Sequence, residues 1–122
     1  MAVHQAIEQF TSDKDYQPGT VLVFGGDHEV TISNAYSDTR VAGIVASIDQ
    51  TQQLNTSVII HGRAQCRVVG VIKKGDLLVT SKIPGVAVVP TNNVIVGSVI
   101  GKALQEFSSD HIGNIEIAVG CG

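Results

Sequence analysis

The sequence has no tryptophan, and aromatic residues make up only 4% of it. Platforms that bind sugars or single-stranded nucleic acid rest on several stacked rings, so this scarcity speaks against both. Cysteine is equally sparse. Cys66 and Cys121 are too few and too far apart for a disulfide framework, and neither lies in a CxxC or a Cys/His zinc spacing. Charged residues amount to 16%, the net charge is -3, and the eight Lys and Arg are scattered, with Lys73-Lys74 the one adjacent pair. Duplex nucleic acid requires clustered cations, which argues against it as the main partner. No apolar run approaches the roughly 20 residues of a membrane helix, and Met1 to Phe10 lacks the basic-then-apolar pattern of a secretion signal. The reading is a soluble chain without membrane insertion.

Valine and isoleucine supply roughly a quarter of the 122 residues, and there are 13 glycines, a composition suited to the pleated surface of a sheet. A chain of this length buries somewhat over 60% of its unfolded surface, enough for one core without metal or cofactor. The expected fold is all-β: a small closed or partly closed barrel or sandwich of about eight or nine short strands. Residues 16–122 form the single β-domain, and residues 1–15 are a lead-in segment. Val3, Ile7 and Phe10 fall on one stripe at helical spacing, which predicts a turn or two of helix or the end of a stalk. Two uses of that stripe follow: an oligomer interface around a threefold axis, or packing on the domain's own barrel.

Along the domain, Tyr16-Gln17-Pro18-Gly19 carries a type II turn signal. Strands are predicted at Thr20 to Phe24 and His28 to Ser33, joined by Gly25-Gly26-Asp27. Others follow at Arg40 to Ile48, Ser57 to His61, Ala64 to Ile72, Leu77 to Thr80, Val86 to Val89, Val94 to Leu104 and Asn114 to Val119. Gly43 and Gly101 interrupt strand patterns, as glycines do where another backbone comes close. Pro18 to Val23 resembles Lys74 to Val79, including Gly19 and Gly75, and Ala42-Gly43-Ile44-Val45 has a weaker counterpart in Ile100-Gly101-Lys102-Ala103. Either the domain is a pseudo-duplicated half or two segments have converged on one turn-plus-strand pattern.

Chemistry-bearing motifs are few. His4, His28, His61 and His111 share no metal-ligand spacing, and Asp27-His28-Glu29 alternates across a hairpin tip, so no metal or other cofactor is implied. His61-Gly62-Arg63 reads as a polar bend that could also face an anion or a partner. Ser81-Lys82 has the residue types of a serine–lysine pair without the geometry that activates one. Gly25-Gly26 precedes no helix that could bind phosphate, and Cys66 sits in an apolar strand as a small core residue. No catalytic residue is assigned. Binding, if any, falls to loop tips: Asn34, Tyr36 and Asp38; Gln52, Gln53 and Asn55; and Asp110 and His111 within Ser108 to Gly113.

The succession Asp15-Tyr16-Gln17-Pro18-Gly19-Thr20-Val21, Phe24-Gly25-Gly26, Glu29-Val30-Thr31, Asp38 to Val45, Gly62 to Gly70, Lys74 to Ser81 and Val99 to Leu104 resembles the C-terminal β-domain of bacteriophage tail-fibre and related virion structural proteins. It spans nearly the whole chain after Asp15. That family is similar to the self-cleaving intramolecular chaperone domains, sometimes named peptidase G2. Their cleavage serine and long helical tentacles have no residue-by-residue counterpart here.

The resemblance implies a non-enzymatic virion domain that caps or trimerises a fibre as a homotrimer. Its implied partners are copies of itself, other virion proteins and a host-surface receptor. Its implied location is the virion, with assembly in the host cytoplasm. The alternative is an autoproteolytic chaperone domain acting on a preceding fibre. A small-ligand barrel is a third reading, and it requires an interior cavity.

Overall fold

The computed structural model describes residues 5–46 and 55–120, and within them the chain is all-β. Nine strands follow one another: β1 (Ala6–Thr11), β2 (Val21–Phe24), β3 (Val30–Ile32), β4 (Val41–Val45), β5 (Asn55–Ile72), β6 (Leu77–Thr80), β7 (Ala87–Val88), β8 (Val99–Ala103) and β9 (Phe107–Val119). The second half closes on itself as a five-stranded barrel. β5 pairs with β7, β7 with β6, β6 with β8, β8 with β9, and β9 returns to β5. Closure removes the unpaired edges that would invite aggregation.

The first half repeats this plan. β2 pairs with β3 and β4, β4 with β5, and β5 with β1, while a single parallel bridge from Ser12 to Val30 brings the sheet back to β3. Its equivalent in the second half is the parallel pair Val68 and Ala87. Leu22 faces Gly43 in one half and Leu78 faces Gly101 in the other, each beside a register shift at the next residue. The turns also match. Gly19 and Gly75 have φ of 90° and 92°, and Thr20 N–H donates to Gln17 as Asp76 N–H donates to Lys73. Gly19 N–H then reaches the Val45 carbonyl where Gly75 N–H reaches Ala103. The faint sequence repeat is thus a repeat in three dimensions, and β5 serves as last strand of one unit and first strand of the next.

Each unit has its own core. Leu22, Val30, Ala42, Val45 and Val58 fill the first, with Phe10, Tyr16 and Ile60 packed at its margin. Cys66, Val68, Leu78, Ala87, Ile100, Ile115, Ile117 and Val119 fill the second, so aliphatic side chains rather than a cavity occupy that interior. Alternation along β5 and β9 puts Ala64, Cys66, Val68, Ile115, Ile117 and Val119 inward. Val21, Ile44, Ala46 and Ile59 point out of the first barrel, and they join the core cluster of the second. One continuous apolar contact therefore fuses the two units.

Several expected boundaries move. Residues 6–11 form a strand rather than a helix, because pairing with Asn55 to His61 overrides the helical spacing. Ile7 and Phe10 pack against this chain's own cores, and Val3 lies outside the described residues. Gly62, with φ of 110°, bends the chain without ending the strand, so Ser57 to His61 and Ala64 to Ile72 are one 18-residue element. The long strand expected from Val94 starts only at Val99, since Ser98 N–H and Oγ both donate to the Ile95 carbonyl and close a turn. The segment 108–113, expected as a loop, lies within β9, whose register with β5 shifts between Val68 and Gly70.

Candidate functional site

Of the nucleophile and ligand types singled out above, Cys66, Ser81 and Glu29 are buried or committed to the fold, while Asp27, His28, Asp110 and His111 are exposed. Cys66 is fully buried, and desolvation pushes its thiol up to about 12, far from the depressed value a reactive thiolate needs. Ser81 Oγ donates to the Val86 carbonyl at 2.7 Å and accepts from Ile83 N–H at 3.1 Å, so its hydroxyl builds a turn. Glu29 accepts from Thr11 N–H at 2.9 Å and ties the end of β1 to the start of β3. His111 stands 3.6 Å from Asp110 with both side chains more than nine-tenths exposed. Among the described residues no group of three or more His, Cys, Asp or Glu gathers where a metal could sit.

The loop carrying Asn34, Tyr36 and Asp38 is a clamp between the barrels. Ser37 N–H donates to the Thr80 carbonyl at 3.0 Å, Asp38 N–H to Thr80 Oγ1 at 2.7 Å, and Thr80 Oγ1 to the Ala35 carbonyl at 2.7 Å. Tyr36 Oη accepts from Thr91 N–H at 2.9 Å. The Asp38 side chain is only 6% exposed and grips Arg40 through both oxygens, at 3.1 Å from Nε and 2.8 Å from Nη2. That hydrogen-bonded guanidinium holds the Asp38 carboxyl below its usual value. Asn34 is exposed, and Asn55 opens β5 opposite Thr11. Gln52 and Gln53 lie outside the described residues. The structure thus separates the sequence-predicted tips: Asn34, Tyr36 and Asp38 sit at the junction, while Asp110 and His111 sit on β9.

Thr80 and Gly85 escaped sequence reasoning. Gly85, with φ of 74°, donates to the Ser33 carbonyl at 2.9 Å and accepts from Val21 N–H at 3.0 Å. A turn of the second barrel is thereby laid against β2 and the end of β3. The Pro84-Gly85 dipeptide signalled the turn but not what it touches. Beside this junction opens a groove of about 590 Å³, lined in part by Pro18, Val45, Ile59, Arg63, Asn114 and Glu116. Arg63 and Glu116 form a 2.6 Å ion pair there, so the charges in it neutralise each other. Exposed apolar side chains stand elsewhere: Phe24 at 43%, Ile95 at 54% and Val96 at 96%.

This arrangement defines an all-β protein of two fused, barrel-like units. No protein-family model matches the chain, and no curated protein matches it. Among solved structures it is similar to the head fibre gp8.5 N base of bacteriophage phi29, with a TM-score of 0.57 and 21% identity over 96% of this chain and 95% of that one. The likeness is one of fold.

Proposed function

We propose that the chain is a structural domain of a phage fibre, held in the virion by contacts with copies of itself and with other virion proteins. The observation that carries this reading is the end-to-end likeness to a head fibre base, which takes in both barrels and not one alone. It agrees with the resemblance to fibre domains carried by the residues after Asp15. The domain caps or trimerises the fibre as a homotrimer, and its exposed tips, Asn34 at the junction and Asp110 and His111 on β9, meet the host surface. Two fused β-units whose Cys66 and Ser81 are taken up by the fold, with loop tips left outside, suit such structural work.

Mass spectrometry and antibody labelling of purified virions test the reading. It requires the chain on intact particles, located at a fibre; absence from particles overturns it. Sedimentation of the purified chain tests the trimer, which a monomer at every concentration overturns. The autoproteolytic alternative requires a longer polypeptide to release a fragment trimmed at a serine.

A further inference from the structure

The contact that joins the two barrels uses one surface of each, and among the described residues the equivalent surfaces stay largely exposed, with Gly97 resting against Thr39 and Phe24 edge-on to Phe10. On the first barrel the joining surface is the outer face bearing Val21, Ile44, Ala46 and Ile59, with the 34–39 loop beside it. Matching the turns and pairings that superpose the units, the same positions on the second barrel are Leu77, Lys102, Leu104 and Ala118. Lys102 is exposed and the other three are half-buried. The equivalent of the 34–39 loop is the segment 92–97, which carries Val94, Ile95 and Val96 at 39%, 54% and 96% exposure.

The opposite surface is repeated too. The second barrel meets the first through Thr80 and the turn 81–86. Their equivalents on the first barrel are Phe24 and the turn Gly25 to Glu29, all exposed or half-exposed. Where the 34–39 loop caps Thr80, the apolar 92–97 loop has a matching apolar target in Phe24, and where one end carries Lys73, Lys74 and Lys102 the other carries Asp27 and Glu29. Apolar side chains thus stand at equivalent points of both ends, and the carboxylates of one can meet the ammonium groups of the other, the Arg40 guanidinium beside Gly25 being paired with Asp38.

We propose that the outer face of the second barrel binds the Phe24–Glu29 end of the first barrel of another copy of this chain, repeating between molecules the contact made within one. The contact is heterologous: each copy offers one end of each kind, so copies close into a ring if the rotation allows and otherwise extend as a filament. This inference stands on the internal repeat and not on the fibre reading, and a ring of three would be the trimer proposed above. Lys102 in place of Ile44 makes the contact between copies more polar and weaker than the fused internal one.

Complementation tests it. Val96→Asp breaks one end without touching the core, because that side chain is 96% exposed. Phe24→Lys breaks the other, and Asp27→Lys serves in its place if Phe24→Lys lowers the melting temperature. In sedimentation velocity the wild-type chain should associate, and each variant alone should weaken association by roughly tenfold or more. An equal mixture of a Val96 variant and a Phe24 or Asp27 variant should yield one-to-one dimers, since one intact end of each kind remains. A wild-type monomer at all concentrations, variants that associate like wild type, or a mixture that stays monomeric overturns the proposal. The virion test leaves this outcome untouched, so either claim can fail without the other.

Discussion

Gly43 and Gly101 stand at the same point of the two barrels, each facing a leucine and each lying against the carbonyl of the crossing strand. A Cβ at Gly43 would overlap the Ile59 carbonyl oxygen, and one at Gly101 would overlap that of Ala118. These obstacles are backbone, which cannot swing aside as a side-chain tip can. Gly43→Ala and Gly101→Ala should each destabilise the chain by about 1–3 kcal/mol or more. Urea unfolding measures it, and midpoints unchanged in both variants would remove the close-crossing role from these positions.

The Ser33 hydroxyl gives a prediction of opposite sign. Ser33 is fully buried, its backbone joins Val21 and Gly85, and its Oγ has no hydrogen-bond partner. A buried unpaired hydroxyl costs about 1–3 kcal/mol, and alanine keeps the backbone contacts while deleting it. Ser33→Ala should leave stability unchanged or raise it by about 1 kcal/mol. A fall in melting temperature would mean that the hydroxyl has a partner such as a bound water.

Cys66 should be silent to thiol reagents in the folded protein. Burial pushes its thiol up to about 12, so the thiolate is a negligible fraction near pH 8, and the core excludes reagent as well. In a Cys121→Ser background, labelling should appear only when the chain unfolds, at a rate that follows denaturant concentration. Rapid labelling of the native protein would show that the second barrel opens far more readily than its packing implies.

Strand content and turns were legible because their causes are local. Val21 to Phe24 and Leu77 to Thr80 follow glycine turns and are built of β-branched, leucine and phenylalanine side chains, and they fold where the pattern puts them. The strand from Ala6 to Thr11 was hidden, since Ile7 and Phe10 suit a helix as well as a strand and only pairing with β5 decides between them. Likewise Gly62 reads as a break, and nothing near it announces that one strand passes through it from barrel to barrel. The repeat surfaced only in the short segments around Gly19/Gly75 and Gly43/Gly101, where backbone geometry demands glycine. At packing positions such as Ile44 and Lys102 the two units have diverged, because one is covered by the other barrel and the other faces solvent. The 34–39 loop was recognised as a loop, but its clamp on Thr80 is a tertiary contact that no spacing in the sequence encodes.

That clamp should give the junction a pH dependence. The Arg40 guanidinium, hydrogen-bonded to Asp38, lowers the carboxyl's folded-state value, with burial opposing it. An unfolded aspartate titrates at about 3.9, so the folded state releases this proton more readily than the unfolded one. The ionised Asp38 therefore contributes its full stabilisation above about pH 4 and loses it as the pH falls through the lowered folded value. Asp38→Asn keeps the side-chain oxygen that receives Arg40 N–H and removes the charge. The variant should be less stable than wild type at neutral pH, and the gap should narrow as the pH drops from about 4 towards about 2. Urea midpoints at several pH values measure both. A gap that stays constant with pH would mean that hydrogen bonding to Thr80 and Arg40, and not the carboxylate's charge, holds the loop between the barrels.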